Sequence, residues 1–469
     1  MRKNCNNIGF YRCFSPLLTM LLAVLINIPS VEAKALNAVI YLNGPDKTPF
    51  NITLTISGIE AKKKEGLWVP LLTGPVTVNS IEMVDNQILL SELELPAGKY
   101  DRLRVRFSKA TWVQDERTFE LIYPEEGMDF NYSFQILEDD ITPVFMTWEA
   151  ERCIKSHIHL SPCFSFEGKA VHLPEVVGYV TSEASGAIYV IDRRRNNVIS
   201  IIRVGPSPKG ITANPDTNRA YVVNSGSDTV AIIDTRYSRV IYTLNLEMRS
   251  KSEAVTLADD GNKLYVTNSD TNSVSVIDAS TYKMIRTIPV GIRPVFVVAE
   301  PRGKKVYVVN NYSHEVSVID TSKDTVVGTI RVEQYPETAA TDATGDKLYV
   351  VSPRSGHISI IPISTGSVAR TLRLTGRPFG VLPDTRGNRL FITKEGSGRV
   401  VLYDLLLEDN ILDNRTGKYP RFITMDTENG RLYIVNGDSA TVDVFDTLTL
   451  RRIKTIQVGK KPWQMVLVK

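Results

Sequence analysis

Histidine and cysteine are scarce in this sequence, which has 5 and 4 of them among 469 residues. The repeats described below contain only His314 and His357, and no Cys-x-x-Cys-His sequence for covalent haem attachment occurs. Copper and zinc centres rich in histidine need more imidazoles than this. We therefore expect no cofactor and assign no catalytic residue.

Neither sign of charge dominates the chain. Its 55 Lys and Arg residues nearly balance its 52 Asp and Glu residues, which leaves a formal charge of +3. Proteins that need a nucleic-acid partner usually carry a strongly basic domain. Nucleic acid is therefore not the partner that the composition indicates.

A long apolar run is missing as well. Leu17–Ile28 is shorter than the roughly 20 residues that cross a bilayer. Basic residues precede this run, and Val31-Glu32-Ala33 follows it as a small-x-small cleavage site. We predict a signal peptide over residues 1–33, cleavage after Ala33, export to the periplasm or the medium, and no membrane span in the mature chain.

The mature chain would keep two cysteines, Cys153 and Cys163. An even number of cysteines in an oxidising compartment favours a disulfide. The same segment reads C-x3-H-x-H-x3-C, and thiolate with imidazole suits zinc or copper. A metal site formed by Cys153, His157, His159 and Cys163 is the alternative to the disulfide.

A repeat fills the second part of the chain. The segment KLYVTNSDTNSVSVID at 263–278 has counterparts with an aromatic marker at Tyr179, Tyr221, Tyr265, Tyr307, Tyr349, Phe391 and Tyr433. Thirteen residues after each marker comes Asp192, Asp234, Asp278, Asp320, Pro362, Asp404 or Asp446. Successive markers are 42 residues apart, with one interval of 44. Two markers in one register indicate a repeat architecture.

Each repeat contains four short runs rich in Val, Ile, Tyr and Thr, separated by turns of Gly, Asn, Asp and Pro. Four-stranded blades around an axis fit this content. The first repeat lacks its innermost strand, and a surplus strand, KPWQMVLVK, stands at 461–469. We predict an all-β chain with a seven-bladed β-propeller over 173–469, closed by the C-terminal strand. The recurring aspartates should cap turns on the face opposite the loops that enter the innermost strands.

These motifs resemble the YVTN-type repeat of YncE-like exported β-propellers, on the segments LYVTNSDTNSVSVID, VYVVNNYSHEVSVID and YVVNSGSDTVAIID. The resemblance covers about 290 residues. It implies a fold rather than an activity, because this architecture hosts unrelated functions.

Residues 34–172 carry no copy of the repeat. The segments NITLTISGIE and YDRLRVRF alternate apolar and polar residues, as strands with one wet face do. We predict a β-sandwich domain over 34–172. The segments GLWVPLL, LPAGKYDRLRVRF and HIHLSPCF resemble an N-terminal β-sandwich domain of unknown function found in bacterial exported proteins.

In such blades, the loop into each innermost strand and the loop after each aromatic strand share one face. The first set of loops places cations and aromatics around the channel mouth: Lys209, Arg249, Arg293, Tyr335, Arg377, Tyr419, Arg421, Lys461 and Trp463. Such a ring could bind an anion, a glycan or an acidic protein surface. Glu253, Glu333 and Glu337 dilute its charge. The alternative is that these loops bind no ligand. In that case the proline only fixes the start of each strand, and the charged and aromatic residues beside it contact solvent.

We expect a monomeric, non-enzymatic scaffold that binds a protein, glycan or anionic ligand in the cell envelope through this mouth. Two alternatives stay open. One is a periplasmic enzyme, either a lactonase-like hydrolase with an acid–base group in the channel or a metal-dependent redox protein. The other is nucleic-acid binding through the same face, with the steep salt dependence that it would require.

Overall fold

The computed structural model describes residues 36–64, 66–155, 158–169, 177–258, 260–301, 303–384 and 387–468. The predicted signal peptide and His157 lie outside these residues. Strands dominate: the described residues contain one 3-10 turn, Ala150–Arg152, and no α-helix. The all-β prediction is confirmed. Among the described residues, no helix has the length and apolarity to cross a membrane.

Twelve strands precede the repeats. They are β1 (Ala38–Asn43), β2 (Asn51–Lys63), β3 (Trp68–Pro70), β4 (Val76–Asn79), β5 (Gln87–Leu93), β6 (Gly98–Gln114), β7 (Arg117–Glu120), β8 (Met128–Ile136), β9 (Thr142–Trp148), β10 (Ile154–Lys155), β11 (His159–Leu160) and β12 (Phe164–Glu167). One sheet has the order β12-β9-β1-β5, and a second contains β3-β2-β6-β7 with β4 on β2 and β8 on β6. Strands β10 and β11 form a short hairpin.

The first sheet is a middle layer, buried on both faces. In β1, Ile40 and Leu42 pack with β2 and β6 of the second sheet in one apolar core. The alternate residues Val39 and Tyr41 pack on the repeats in another core. Because strand side chains alternate between faces, this double burial explains why β1 is a continuous apolar run.

The predicted disulfide is present in this region. Cys153 and Cys163 are bonded, with their Cα atoms 4.8 Å apart. The hairpin β10–β11 supplies the chain reversal that a bridge over ten residues requires. Trp148 packs over the bridge and donates its Nε1 hydrogen to Cys153 Sγ at 3.0 Å. Both sulfurs of the alternative metal site are therefore in the disulfide.

The described residues of the repeats form seven four-stranded antiparallel sheets. Their strands are β13 (Val177–Ser182), β14 (Ala187–Asp192), β15 (Asn197–Arg203), β16 (Pro208–Asn214), β17 (Arg219–Asn224), β18 (Thr229–Asp234), β19 (Arg239–Asn245), β20 (Ser252–Ala258), β21 (Lys263–Asn268), β22 (Ser273–Asp278), β23 (Met284–Pro289), β24 (Pro294–Ala299), β25 (Lys305–Asn310), β26 (Glu315–Asp320), β27 (Thr325–Arg331), β28 (Thr338–Thr341), β29 (Lys347–Ser352), β30 (His357–Pro362), β31 (Arg370–Arg373), β32 (Pro378–Pro383), β33 (Arg389–Lys394), β34 (Arg399–Asp404), β35 (Asp409–Arg415), β36 (Pro420–Asp426), β37 (Arg431–Asn436), β38 (Thr441–Asp446), β39 (Arg452–Gln457) and β40 (Pro462–Val468).

The sheets are arranged in a closed ring. The innermost strands β16, β20, β24, β28, β32, β36 and β40 each contact the next, and β40 contacts β16. Strand β40 pairs antiparallel with β13, from Val177↔Val468 to Ser182↔Pro462. The last strand of the chain therefore completes the first sheet of the repeats, as the missing first strand led us to expect.

The recurring tyrosines and aspartates hold this ring together. The Tyr179 hydroxyl contacts Ser238 Oγ in the next sheet at 2.9 Å, and Tyr433 donates to Asn196 Oδ1 across the closure at 3.0 Å. Asp278 accepts the backbone N–H groups of Ser280 and Thr281. The same capping pattern recurs at Asp192, Asp234, Asp320, Asp404 and Asp446.

The N-terminal sheets dock on the ring where its two ends meet. Leu89 donates its backbone N–H to Gln457 Oε1 on β39, at 2.6 Å. Gln87 exchanges two hydrogen bonds with the backbone of Val198 on β15. Tyr189 donates its hydroxyl to Glu92 at 2.5 Å. The described residues from Leu36 onward accordingly form one compact unit.

Candidate functional site

Seven equivalent residues precede the innermost strands, and all adopt a left-handed backbone with φ between 49 and 59°. We call them the outer ring: Ser207, Lys251, Arg293, Tyr335, Arg377, Tyr419 and Lys461. Non-glycine residues adopt this conformation rarely. Its recurrence means that the repeat fixes the same backbone turn at every strand start, whatever side chain is attached.

The outer ring carries four cations and no carboxylate. Lys251, Arg377 and Lys461 are exposed, and Arg293 is half-buried. Within the described residues, the only ion pair of these four is between Arg377 and Glu395, at 3.4 Å. The outer ring therefore presents net positive charge to solvent.

Two residues further along lies a second set of equivalent positions, the inner ring: Lys209, Glu253, Val295, Glu337, Phe379, Arg421 and Trp463. Its two cations and two carboxylates cancel in formal charge. The inner ring is also more buried, with Glu253 and Phe379 8% and 6% exposed. Opposite charges are thus placed deep in the mouth, while positive charge remains at its edge.

Trp463 stands between the two inner-ring cations. The Arg421 guanidinium lies 4.2 Å from the indole centroid, and Lys209 Nζ lies 4.9 Å from it. Each cation also faces a carboxylate: Lys209 is 3.5 Å from Glu253, and Arg421 is 3.8 Å from Glu395. Cation–π contacts and ion pairs together fix the orientation of these side chains.

The carboxylates of the mouth are held in a partly desolvated environment. Burial raises the pKa of Glu337, and the nearby charge of Glu253 raises it further. Burial also raises the pKa of Glu395, against the lowering effect of Arg421 and Arg377. Asn311 donates to Glu337 at 3.2 Å. Carboxylates with raised pKa values in a cleft are a recognised mark of functional sites.

Aromatic side chains of the inner ring and of the position after it meet across the ring axis. Phe296 on β24 stacks on Phe422 on β36, with centroids 5.6 Å apart. These strands are not neighbours in the ring, so the contact spans the axis. Phe379 and Trp463 also pack on Phe422, at 5.9 and 6.2 Å. We call these four residues the aromatic floor of the mouth.

A separate ladder of cations and tyrosines lies on the side of β25 and β29. The Arg293 guanidinium is 4.7 Å from the ring of Tyr312, and Arg354 is 4.7 Å from Tyr335. The two tyrosines meet edge to face at 6.5 Å. Tyr312 is 49% exposed, so this ladder offers aromatic surface as well as charge to a partner.

The structure groups the predicted mouth residues unevenly. Lys209, Arg377, Tyr419, Arg421 and Trp463 form one connected cluster around Glu395 and the indole. Arg293 and Tyr335 belong to the ladder. Among the described residues, the side chains of Lys461 and Arg249 have no hydrogen-bond or ion-pair partner. Arg249 lies two residues before the outer-ring position, which Lys251 occupies.

Three residues of the mouth were not predicted from the sequence: Glu395, Arg354 and Phe422. Glu395 and Arg354 lie in loops that follow aromatic strands, and these loops share the face of the mouth. The repeat register that marks the first set of loops also marks these positions, so it was the available signal for both. Phe422 follows an inner-ring position in the same way as Phe296, so its place in the repeat was the available signal.

The described residues contain no group of three or more His, Cys, Asp or Glu side chains that could hold a metal ion. His314 packs edge to face on Tyr335, with centroids 4.8 Å apart. His357 Nδ1 is 3.9 Å from a Glu333 carboxylate oxygen. Each histidine of the repeats is thus placed against a side chain of the mouth face.

No protein-family model and no curated protein matches the chain. Among solved structures, it is similar to Kuenenia stuttgartiensis hydrazine synthase, at 20% identity over 58% of this chain and 92% of that chain, with a TM-score of 0.52. It is also similar to a functionally unknown protein from Desulfotomaculum acetoxidans DSM 771, at 13% identity over 62% of this chain and 98% of that one, with a TM-score of 0.56.

A further match is virginiamycin B lyase from Staphylococcus aureus, at 12% identity over 54% of this chain and 84% of that chain, with a TM-score of 0.46. At identities this low, the two matches with TM-scores above 0.5 bear on the fold alone. With the ring of four-stranded sheets, they identify a β-propeller.

Proposed function

We propose that the chain is an exported, non-enzymatic scaffold that binds the anionic surface of a protein or glycan through the outer ring of its propeller. The observation that supports this most is the charge of the outer ring, which has four cations and no carboxylate. Exposed charge of one sign attracts an opposite surface and speeds its association.

The proposal includes the finer architecture predicted from the repeat. The mature chain would begin at Lys34, with a β-sandwich domain over 34–172 and a seven-bladed propeller of the YVTN type over 173–469. The disulfide supports export, because such bonds persist mainly in oxidising compartments. The aromatic floor and the ladder would add stacking surface for sugar rings or apolar side chains.

The test uses immobilised heparin, a sulfated polysaccharide, as an anionic probe. We expect Arg293→Gln/Arg377→Gln/Lys461→Gln to elute at lower salt than the unchanged protein. The slope of log affinity against log salt should fall by about two to three, since each cation that contacts the polyanion releases about one counterion. The melting temperature should change little, because exposed substitutions usually alter stability by less than about 0.5 kcal/mol.

A matched control removes three cations from the opposite face. Lys283, Lys323 and Arg451 are all exposed, so their triple change to Gln alters net charge equally. This control should elute with the unchanged protein. If both variants lose retention equally, heparin responds only to the total charge of the protein. If the outer-ring variant is retained as well as the unchanged protein, heparin binds elsewhere.

The hydrolase alternative is favoured by one observation, the raised pKa of Glu337 in the inner ring. A carboxyl group of this kind can transfer protons nearer to neutral pH than an exposed one. A panel of lactones and esters, assayed with the unchanged protein and with Glu337→Gln, tests it. Turnover that Glu337→Gln abolishes would favour the enzyme over the scaffold.

A further inference from the structure

Three consecutive arginines, Arg193 to Arg195, occupy the turn after β14, and no other repeat has such a run at this position. Arg193 is buried and pairs with Asp426 at 2.6 Å, with side-chain exposures of 3% and 0%. Arg194 and Arg195 are exposed, and their guanidinium groups make no hydrogen bond or ion pair with any described residue. The turn therefore offers two guanidinium groups that the fold does not use.

These two arginines line a cavity of about 720 Å³ at the junction between the N-terminal sheets and the ring. Loops next to Asn43 and Asn86 form one wall, and the turn at Arg194 and Arg195 forms another. Arg431 and Lys454, from the last sheet of the ring, complete it. Cavities of this size between packed regions are common sites for small molecules.

The deep part of the cavity is positively charged and rigid. Lys454 Nζ donates to Asp85 O, Arg195 O and Asn197 Oδ1, at 2.5 to 2.9 Å. Arg431 donates to the backbone oxygen of Arg193. Lys454 uses its three hydrogens on these acceptors, so this half-buried cation contributes mainly electrostatic potential. Arg194 and Arg195 add guanidinium donors that bond no described residue.

Carboxylates lie at the exposed edge of the same cavity. Asp46, Asp85 and Glu167 are exposed and line it, and none of them forms an ion pair with a described residue. The lining therefore combines four cations, two of them half-buried, with three exposed carboxylates. Such a mixed lining suits a ligand with an anionic group and a hydroxylated or amino-bearing remainder.

We propose that this junction cavity binds a small polar molecule through an oxyanion, a phosphate or carboxylate, held by Arg194 and Arg195. Guanidinium groups bind both oxyanions with paired, charge-assisted hydrogen bonds. The site is distinct from the mouth, which lies at the other ends of the strands. The cavity is formed by the N-terminal sheets together with the ring, so it exists only while these two regions are in contact.

Calorimetry on the full mature chain tests this with inorganic phosphate, glucose 6-phosphate and succinate, and with glucose as the neutral match. We expect one-to-one binding of at least one oxyanion and none of glucose. Arg194→Gln/Arg195→Gln should weaken binding about 10-fold or more, because two charge-assisted contacts are lost. Phosphate and succinate together distinguish a phosphoryl from a carboxylate ligand.

The control Lys283→Gln/Lys323→Gln removes two exposed cations from the same face of the ring, away from the cavity. It should bind the probe as the unchanged protein does. A probe that binds should also raise the melting temperature, and less so in the arginine variant. Absence of saturable binding up to about 10 mM for all three oxyanions overturns the proposal, as does equal binding by the arginine variant.

Discussion

The two faces of the propeller use the same repeat in opposite ways. On the face where the third strands end, six of seven equivalent positions are aspartate, and each of the six accepts backbone N–H groups of its own turn. At the mouth, the seven residues of the inner ring are of six types, two acidic, two basic and three apolar or aromatic. The repeat keeps one face uniform and leaves the other free to vary.

This difference separates folding from recognition within a single chain. Six of the seven turns have this cap, which gives backbone N–H groups of the turn a hydrogen-bond partner. The left-handed backbone of the outer ring is present in every blade, but it accepts Ser, Lys, Arg and Tyr alike. Variation between equivalent positions thus marks the surface on which binding residues can be chosen without cost to the fold.

The largest expected effect comes from breaking the ring that carries both faces. Replacing Pro462–Val468 with Gly and Ser of equal length removes β40 and exposes Val177, Tyr179 and their neighbours on β13. We expect loss of the cooperative unfolding transition, because the first sheet loses its innermost strand. Circular dichroism during heating checks this, and an unchanged transition would contradict closure by the C-terminal strand.

A smaller loss of stability is expected for Asp426→Ala, at the end of β36 on the face opposite the mouth. This change leaves the guanidinium of Arg193 buried without its partner, which should cost about 3–5 kcal/mol. The matched control is Asp129→Ala, since its pair with Arg104 is partly exposed and should contribute less than about 1 kcal/mol. Urea denaturation compares the two variants, and equal losses would contradict the role given to the buried pair.

A still smaller loss of stability, and one that depends on pH, is expected when Asp278 is replaced. Hydrogen bonds from Ser280 and Thr281 lower its pKa to about 2. A lowered pKa in the folded state gives stability that is present above the unfolded pKa of about 3.9 and is lost as pH falls toward 2. Asp278→Ala should therefore lower stability by about 1 kcal/mol at pH 7 and by much less near pH 2.

Denaturation of Asp278→Ala at several pH values checks this prediction. A difference from the unchanged protein that stays constant from pH 7 to pH 2 would show that the charge of the carboxylate is not what stabilises the turn.

The smallest effect on stability is expected at the mouth. Lys461 is exposed and its side chain contacts no described hydrogen-bond or ion-pair partner, so Lys461→Ala should change the free energy of unfolding by less than about 0.5 kcal/mol. Urea denaturation measures it. A loss as large as that of Asp426→Ala would show that the outer ring supports the fold.

The ring could be predicted from the sequence because each repeat carries its own markers within a short segment. Tyr and Asp markers recur at fixed spacing, and the missing first strand and the surplus last one identify the closure. The docking of the N-terminal sheets left no such signal. Tyr41 and Gln457 are joined by a hydrogen bond of 3.1 Å although 416 residues separate them, and nothing near either residue indicates the other.

At the mouth, the residue types were predictable but their partners were not. An extra two residues in one repeat move the outer-ring position from Arg249 to Lys251, and only the backbone geometry reveals this. The pairing of Arg421 with Glu395 joins neighbouring blades, so it depends on the width of the ring rather than on spacing in the chain.

The central claim is that the turn caps that stabilise the fold and the outer ring that would bind the anionic partner lie on opposite faces of the propeller. Melting temperature and salt of elution from heparin, measured together for Asp426→Ala and for Arg293→Gln/Arg377→Gln/Lys461→Gln, test it most directly. We predict that Asp426→Ala lowers the melting temperature and elutes at the same salt concentration as the unchanged protein. The triple variant should have an unchanged melting temperature and elute at lower salt. Two results would contradict this: a variant that loses both stability and heparin retention, or Asp426→Ala losing retention while the triple variant loses stability.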